Sequence, residues 1–203
     1  MRGILPVLVA GLVGLILFDR FGKPVIVRSA QATAREAAPA PPVLSDSPAA
    51  PARDGRLEYL TVQAMTGRVQ PGAAPTVLVL YGTNCPLSRQ LMSGLQQIAT
   101  QYQGAGLRVL AINVDDDEPF YDVPAFLAAT GARFPPVRVS RQAGELSSAL
   151  NSLGSKAIPS GQKFTMPVVV VWGRRGTVLA EAQGMADASA LEQVVRVAVD
   201  PGS

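Results

Sequence analysis

The sequence predicts an α/β domain in which a mostly parallel sheet, flanked by helices, is extended by an antiparallel hairpin. Three stretches predict it. Residues 76–81 form a β-branched and apolar run, as expected of a strand buried on both faces. Gly82, Thr83 and Asn84 break that run, and apolar residues then fall at Leu91, Leu95, Ile98 and Tyr102, the stripe of an amphipathic helix. Gly104 and Gly106 end the helix, and residues 107–114 return as a second buried strand, so the unit is βαβ with parallel strands. The third stretch is a valine-rich run ending at Trp172, a Gly173–Gly176 turn, and an antiparallel return over residues 177–183.

Before this domain, residues 3–18 are an uninterrupted apolar and small-residue run, preceded by Arg2 and followed by Asp19 and Arg20. At about 1.5 Å per residue the run is short against a hydrocarbon core of ~30 Å. Phe21 extends it, and Arg20 and Lys23 can snorkel to the interface. We read residues 1–28 as a signal-anchor and its flank, with residues 3–21 in the membrane; the same length also suits a cleaved secretory signal. Arg20, Lys23 and Arg28 argue for a cytoplasmic C-terminal side. An apolar start joined to a long linker argues for export, and export is the reading adopted. Residues 29–56 are rich in Ala and Pro, including Pro39, Pro41 and Pro42, and cannot bury enough apolar surface to order themselves. They are expected to form a semi-extended tether, with a folded domain over residues 57–203.

Within that domain, residues 57–64 read as a first strand, 76–81 as the next, and 107–114 as its parallel neighbour. Residues 120–130 read as a helix, 134–139 as a short extended segment, and 144–153 as a further helical turn or two. Residues 164–172 read as a strand opened by Pro167, with Trp172 and its valines in the core. Asp187 caps a last helix that places Leu191, Val194, Val195 and Ala198 on one face.

The composition narrows the chemistry. Eighteen Lys and Arg against 15 Asp and Glu give a net charge of +3, too weak and too scattered for a nucleic-acid footprint. With no histidine and one cysteine, the commonest catalytic base and metal ligand are missing, and no intrachain disulfide or thiolate cage can form. No cofactor and no metal are expected. The one cysteine, Cys85, precedes Pro86, which has no N–H to lose at a first helical position. Cys85 is thus expected at a helix N-terminus, where free N–H groups and the dipole favour a thiolate over a thiol. Because parallel strands present their C-terminal ends together, the acidic run Asp115–Glu118 is expected on the same sheet edge. It reads as a solvated helix entrance rather than a cation site. Arg89, Lys156 and Lys163 are candidate cations near that edge, or ordinary surface charge.

A strand, a three-residue turn, a cysteine opening a helix, a second strand, a helix, then Met166-Pro167 opening a hairpin and a final helix resemble the thioredoxin superfamily over residues 57–199. The segment between about 131 and 160 and the N-terminal anchor resemble membrane-anchored periplasmic thiol–disulfide oxidoreductases. Those proteins assist cytochrome maturation, and related accessory proteins assist methylamine dehydrogenase assembly. The resemblance implies a thioredoxin-like fold and a cis bond before Pro167, which stands at the start of the strand beside the reactive cysteine. It also implies roles for Cys85 as nucleophile and Pro167 as shaper of the substrate groove, and Ser88, which departs from the family, is a candidate stabiliser of the Cys85 thiolate. The family pattern Trp-Cys-x-x-Cys is here Asn84-Cys85-Pro86-Leu87-Ser88. Ser88 replaces the resolving thiol, so Cys85 can attack a disulfide but cannot release its own mixed disulfide. Ser88 either donates to the Cys85 thiolate or bonds its own backbone. A peroxidase would need threonine three residues before the cysteine, where this chain has Gly82.

Two functions follow as expectations. One is a single-cysteine thiol–disulfide protein anchored in the cytoplasmic membrane with its domain in the periplasm, acting on protein thiols or disulfides. The other is a non-catalytic subunit or assembly factor of a membrane protein complex, docking through the same surface.

Overall fold

A computed structural model of the chain describes residues 17–18, 24–25, 56–116, 118, 121–139 and 143–200. The expected tether and most of the expected anchor lie outside these residues. Leu17–Phe18 pairs antiparallel with Pro24–Val25 as a two-stranded sheet of its own. Among the described residues no helix is long and apolar enough to cross a membrane.

The main sheet has six strands: β1 (Glu58–Leu60), β2 (Thr76–Tyr81), β3 (Arg108–Asn113), β4 (Val137–Val139), β5 (Val168–Trp172) and β6 (Val178–Gln183). Their order is β1-β4-β3-β2-β5-β6. β1, β4, β3 and β2 run parallel, and β5 and β6 add an antiparallel pair at the far side. β2 sits inside the sheet, between β3 and β5, and all six of its residues are buried. That is the burial its unbroken apolar run requires.

Among the described residues five helices cover the two faces: α1 (Val62–Val69), α2 (Pro86–Tyr102), α3 (Val123–Ala129), α4 (Ala143–Ser152) and α5 (Ala188–Val199). Val77, Val79 and Tyr81 point to one core with Leu91, Leu95, Phe126 and Leu191, so α2, α3 and α5 share that face. Leu78 and Leu80 point to the other core with Met65, Leu146, Leu150 and Trp172, beneath α1 and α4. The Trp172 indole nitrogen donates to Leu153 O at 3.0 Å, which satisfies its one polar atom inside the core.

The expected strand over residues 57–64 is divided. Only Glu58–Leu60 pairs, and Thr61 then caps α1 by accepting from Ala64 N at 3.1 Å. Met65 and Val69, four residues apart, bury together on the helix face. The expected helix over residues 120–130 begins at Val123, where Asp122 accepts from Ala125 N at 2.9 Å and sets the start. Pro135 and Pro136 cannot donate to a ladder, and the extended segment there pairs only from Val137. After α2 the chain makes a 3₁₀ turn and leaves through Gly106 at φ 78, the left-handed conformation glycine adopts without strain. Asp187 caps α5 as expected, accepting from Ser189 N at 2.8 Å.

Candidate active site

The site forms where β2 ends and α2 begins. Cys85 is the N-cap residue of α2, in extended conformation, with Pro86 opening the helix. Its amide donates back to Gly82 O at 3.2 Å and closes the turn; its carbonyl accepts from Arg89 N at 3.1 Å and starts the helix. The side chain is half-buried and is a free thiol. Its Sγ donates to the backbone carbonyl of Met166 at 3.3 Å. The Met166–Pro167 bond is cis, as the resemblance implies, and Pro167 is buried. The thiol and the start of β5 are therefore in direct contact, although 81 positions separate them in the chain.

Ser88, one turn into α2, is fully buried. Its hydroxyl oxygen accepts from Gly82 N at 3.3 Å, and among the described residues no hydrogen bond joins it to Cys85. Its partner is the backbone of the preceding loop rather than the thiol or its own helix. An open depression of about 380 Å³ lies over the thiol, lined by Thr83, Asn84, Cys85, Pro86, Arg89 and Gln90. Arg89 is the one charged residue of that lining, and its guanidinium carbon sits 5.5 Å from the centre of the Phe126 ring. Phe126 in turn stacks on Tyr81, with centroids 5.3 Å apart. Lys156 and Lys163 are exposed, and neither lines the depression.

The acidic run departs from expectation at its first member. Asp115 is buried, not solvated. Its Oδ2 accepts from Thr83 N at 2.7 Å, Thr83 Oγ1 at 2.8 Å and Asn113 Nδ2 at 2.9 Å. The sheet register explains this: Tyr81 lies opposite Asn113, so the chain leaving β3 meets the chain leaving β2. Asn113 also faces Arg138 on β4, whose Nε donates to Asn113 Oδ1 at 2.9 Å. Arg138 further donates to Tyr121 O at 2.5 Å. Beside this group the Tyr81 hydroxyl is buried and, among the described residues, has no hydrogen-bond partner. Burial above all, then the nearby Asp115, pushes its pKa up, while Arg138 pulls the other way. Sequence reasoning placed Asp115 on the right sheet edge but missed its burial, its bonds to Thr83, and the parts played by Asn113 and Arg138. The available signal was the pairing of the two strand ends, which brings Asp115 level with the loop before Cys85. Among the described residues no three His, Cys, Asp or Glu side chains are grouped to hold a metal ion.

The AhpC/TSA family profile matches residues 48–181. The chain belongs to that family. Among solved structures, a thiol:disulfide interchange protein of the thioredoxin family from Chlorobium tepidum TLS is similar at a TM-score of 0.50 and 20% identity. The match covers 63% of this chain and 81% of that one. At that identity the likeness establishes the fold, which is thioredoxin-like. StoA from Bacillus subtilis is similar at a TM-score of 0.46 and 16% identity, over 62% of this chain and 85% of that one. A secreted Mycobacterium tuberculosis disulfide oxidoreductase is similar at 0.45 and 16%, over 64% and 85%. No curated protein matches the chain significantly. Within this AhpC/TSA chain, Thr83 stands one residue later than a peroxidase threonine would, and its hydroxyl is bonded to Asp115 rather than to the thiol.

Proposed function

We propose that this AhpC/TSA chain performs single-cysteine thiol–disulfide exchange, with Cys85 as nucleophile. The observation that supports it most is the placement of the half-buried thiol: in an open depression, at a helix N-terminus, against the carbonyl of the residue before Pro167. The Cys85 thiolate would attack one sulfur of a disulfide, form a mixed disulfide, and release the other sulfur as a thiolate. Ser88 offers no second thiol, so a thiol from outside must attack the mixed disulfide and regenerate Cys85. Protein thiols and disulfides are the natural substrates of such a site. Arg89 is the one charged residue among those described lining the depression, so an anionic disulfide is the suitable probe.

The test is adduct formation. Folded full-length protein incubated with oxidised glutathione should gain one glutathione by intact mass, and Cys85→Ala should gain none. A folded wild-type protein that stays unmodified under conditions that modify a model peptide thiol would overturn the assignment.

We further propose that residues 3–21 anchor the chain in the cytoplasmic membrane and that the tether holds the domain in the periplasm. The apolar run and the Ala/Pro-rich stretch behind it support this reading. Cys85 is the one cysteine, so a membrane-impermeant maleimide applied to intact cells reports topology directly. Labelling places the domain outside; labelling only after lysis places it inside.

The second reading is a docking subunit or assembly factor of a membrane complex. The observation in its favour is Ser88: the position of a resolving thiol is fully buried and engaged with Gly82 N. Alkylating Cys85 should abolish function on the first reading and leave it intact on the second.

A further inference from the structure

The loop that presents Cys85 is held from below by a chain of buried polar side chains drawn from β4, β3 and the segments that follow β3 and β2. Arg138 on β4 donates to Asn113 Oδ1. Asn113, on β3, donates from Nδ2 to Asp115 Oδ2, and accepts from Asp115 N at 3.3 Å. Asp115 then receives both the amide and the hydroxyl of Thr83, two positions before the thiol. Thr83 and Asp115 are each 6% exposed, and Arg138 is 3% exposed. A carboxylate withdrawn from water is costly unless donors surround it, and two of its three donors are on Thr83.

The consequence reaches the thiol by geometry. With Thr83 N held at 2.7 Å from Asp115, Gly82 N on Ser88 Oγ and Cys85 N on Gly82 O, three amides between the end of β2 and the start of α2 have fixed partners. Asp115 also stands close behind Gly82: a Cβ built there would lie 2.9 Å from Asp115 Oδ1 and 2.7 Å from the Met166 terminal methyl. Asp115, Gly82 and Met166 are thus packed in one layer, and Met166 is the residue whose carbonyl receives the Cys85 thiol.

We propose that Asp115 is a positioning residue for exchange at Cys85: acting through Thr83, it fixes the loop so that the thiol is held in one direction, against the Met166 carbonyl and beneath the open depression, for in-line attack on a disulfide. The inference rests on the thiol–disulfide reading above. It assigns Asp115 no contact with substrate and no proton transfer. Attack on a disulfide needs three sulfurs in line, so its rate depends on the direction in which the thiol is held. Alkylation by a small reagent approaching from open solvent depends on it far less. Loss of the anchor should therefore separate the two reactions.

The experiment compares full-length wild type, Asp115→Asn, Thr83→Val and Thr83→Ser. Each is confirmed folded by circular dichroism and thermal melting before assay. Two second-order rates are measured at Cys85: mixed-disulfide formation with oxidised glutathione and alkylation by iodoacetamide. In the first reaction a Cys85–glutathione disulfide forms, the glutathione disulfide breaks, and one glutathione thiolate leaves. Asp115→Asn and Thr83→Val should slow mixed-disulfide formation about tenfold while alkylation changes less than about twofold. Thr83→Ser, which keeps the hydroxyl, should recover the disulfide rate. If Asp115→Asn does not fold, the Thr83→Val and Thr83→Ser pair decides. Equal disulfide rates in folded wild type and Thr83→Val overturn the proposal, as does a parallel fall of both rates. No adduct in wild type would instead be a failure of the exchange reading itself.

Discussion

The thiol of Cys85 donates to the backbone carbonyl of Met166 across 3.3 Å, and Ser88 one turn away is turned to the backbone of Gly82. The two side chains of the Cys-x-x-Ser pattern therefore have separate partners on separate segments. Replacing the serine with cysteine tests whether the surroundings still support a complete exchange cycle. Ser88→Cys puts two sulfurs one helical turn apart and supplies an internal attacker for the mixed disulfide. The variant should reduce insulin disulfides with turnover in the presence of dithiothreitol, while wild type does not exceed the uncatalysed rate. An inactive but folded Ser88→Cys would show that the missing thiol is not all that stands between this site and turnover.

Tyr81 carries a buried hydroxyl without a partner among the described residues, a loss of about 1–3 kcal/mol relative to a satisfied group. Its ring stacks on Phe126, a contact that phenylalanine would keep. Tyr81→Phe should accordingly raise stability by about 1 kcal/mol in urea unfolding at neutral pH. The pH dependence follows from the direction of the shift. The folded-state pKa is raised above the unfolded value, so ionisation of the tyrosine adds no pH dependence to stability well below pH ~10. Above pH ~10 the unfolded chain ionises first and stability falls. That alkaline slope should be shallower in Tyr81→Phe; equal slopes would contradict the assignment.

Two helical glycines should respond oppositely to alanine. At Gly67 in α1 a Cβ would meet nothing within 4 Å, so Gly67→Ala should stabilise by about 0.5–1 kcal/mol through backbone entropy. At Gly94 in α2 a Cβ would fall 2.3 Å from the Ala188 Cβ at the start of α5. Overpacking there costs about 1–3 kcal/mol against a propensity gain of about 1, so Gly94→Ala should lose stability by up to about 2. Melting temperatures that move the same way in both variants would refute the packing of α5 on α2.

Composition predicts where the chain is cut. A broad-specificity protease at low ratio should cleave first within residues 29–56 and leave a resistant fragment beginning near Leu57. N-terminal sequencing of that fragment is the measurement. A first stable product starting within residues 70–130 would move the domain boundary.

Much of the fold can be read from the sequence where one signal dominates. β2 and β5 are unbroken apolar runs, α2 has both a proline start and a helical stripe, and α5 has an aspartate cap. α1 was not legible because Val62, Thr66 and Val69 are β-branched and favour a strand as readily as a short helix. The cap at Thr61 and the Met65–Val69 pairing decide it only once there is a face to pack against. Arg138 lies between two valines, where alternation would turn it to solvent. All three residues of β4 are buried, and its guanidinium is taken up by Asn113 and Tyr121. Cys85 and Pro167 were visible as residue types in known places. Asp115 was hidden in a run of like residues, because its burial depends on which strand ends meet, and no local pattern records that.

The separation of Cys85 from Met166 also has a bearing on the order in which the chain is made. Leu80 pairs with Val168 and Thr76 with Trp172, so one whole side of β2 stays open until residues 168–172 have been synthesised. Until then the cysteine has its helix and its parallel neighbour β3 but no carbonyl from Met166. An edge strand with five consecutive apolar residues and a bare thiol just beyond its end is an aggregation-prone species. A ribosome paused before residue 166 would display it, and a nascent chain released there would carry Cys85 without the segment that normally covers it.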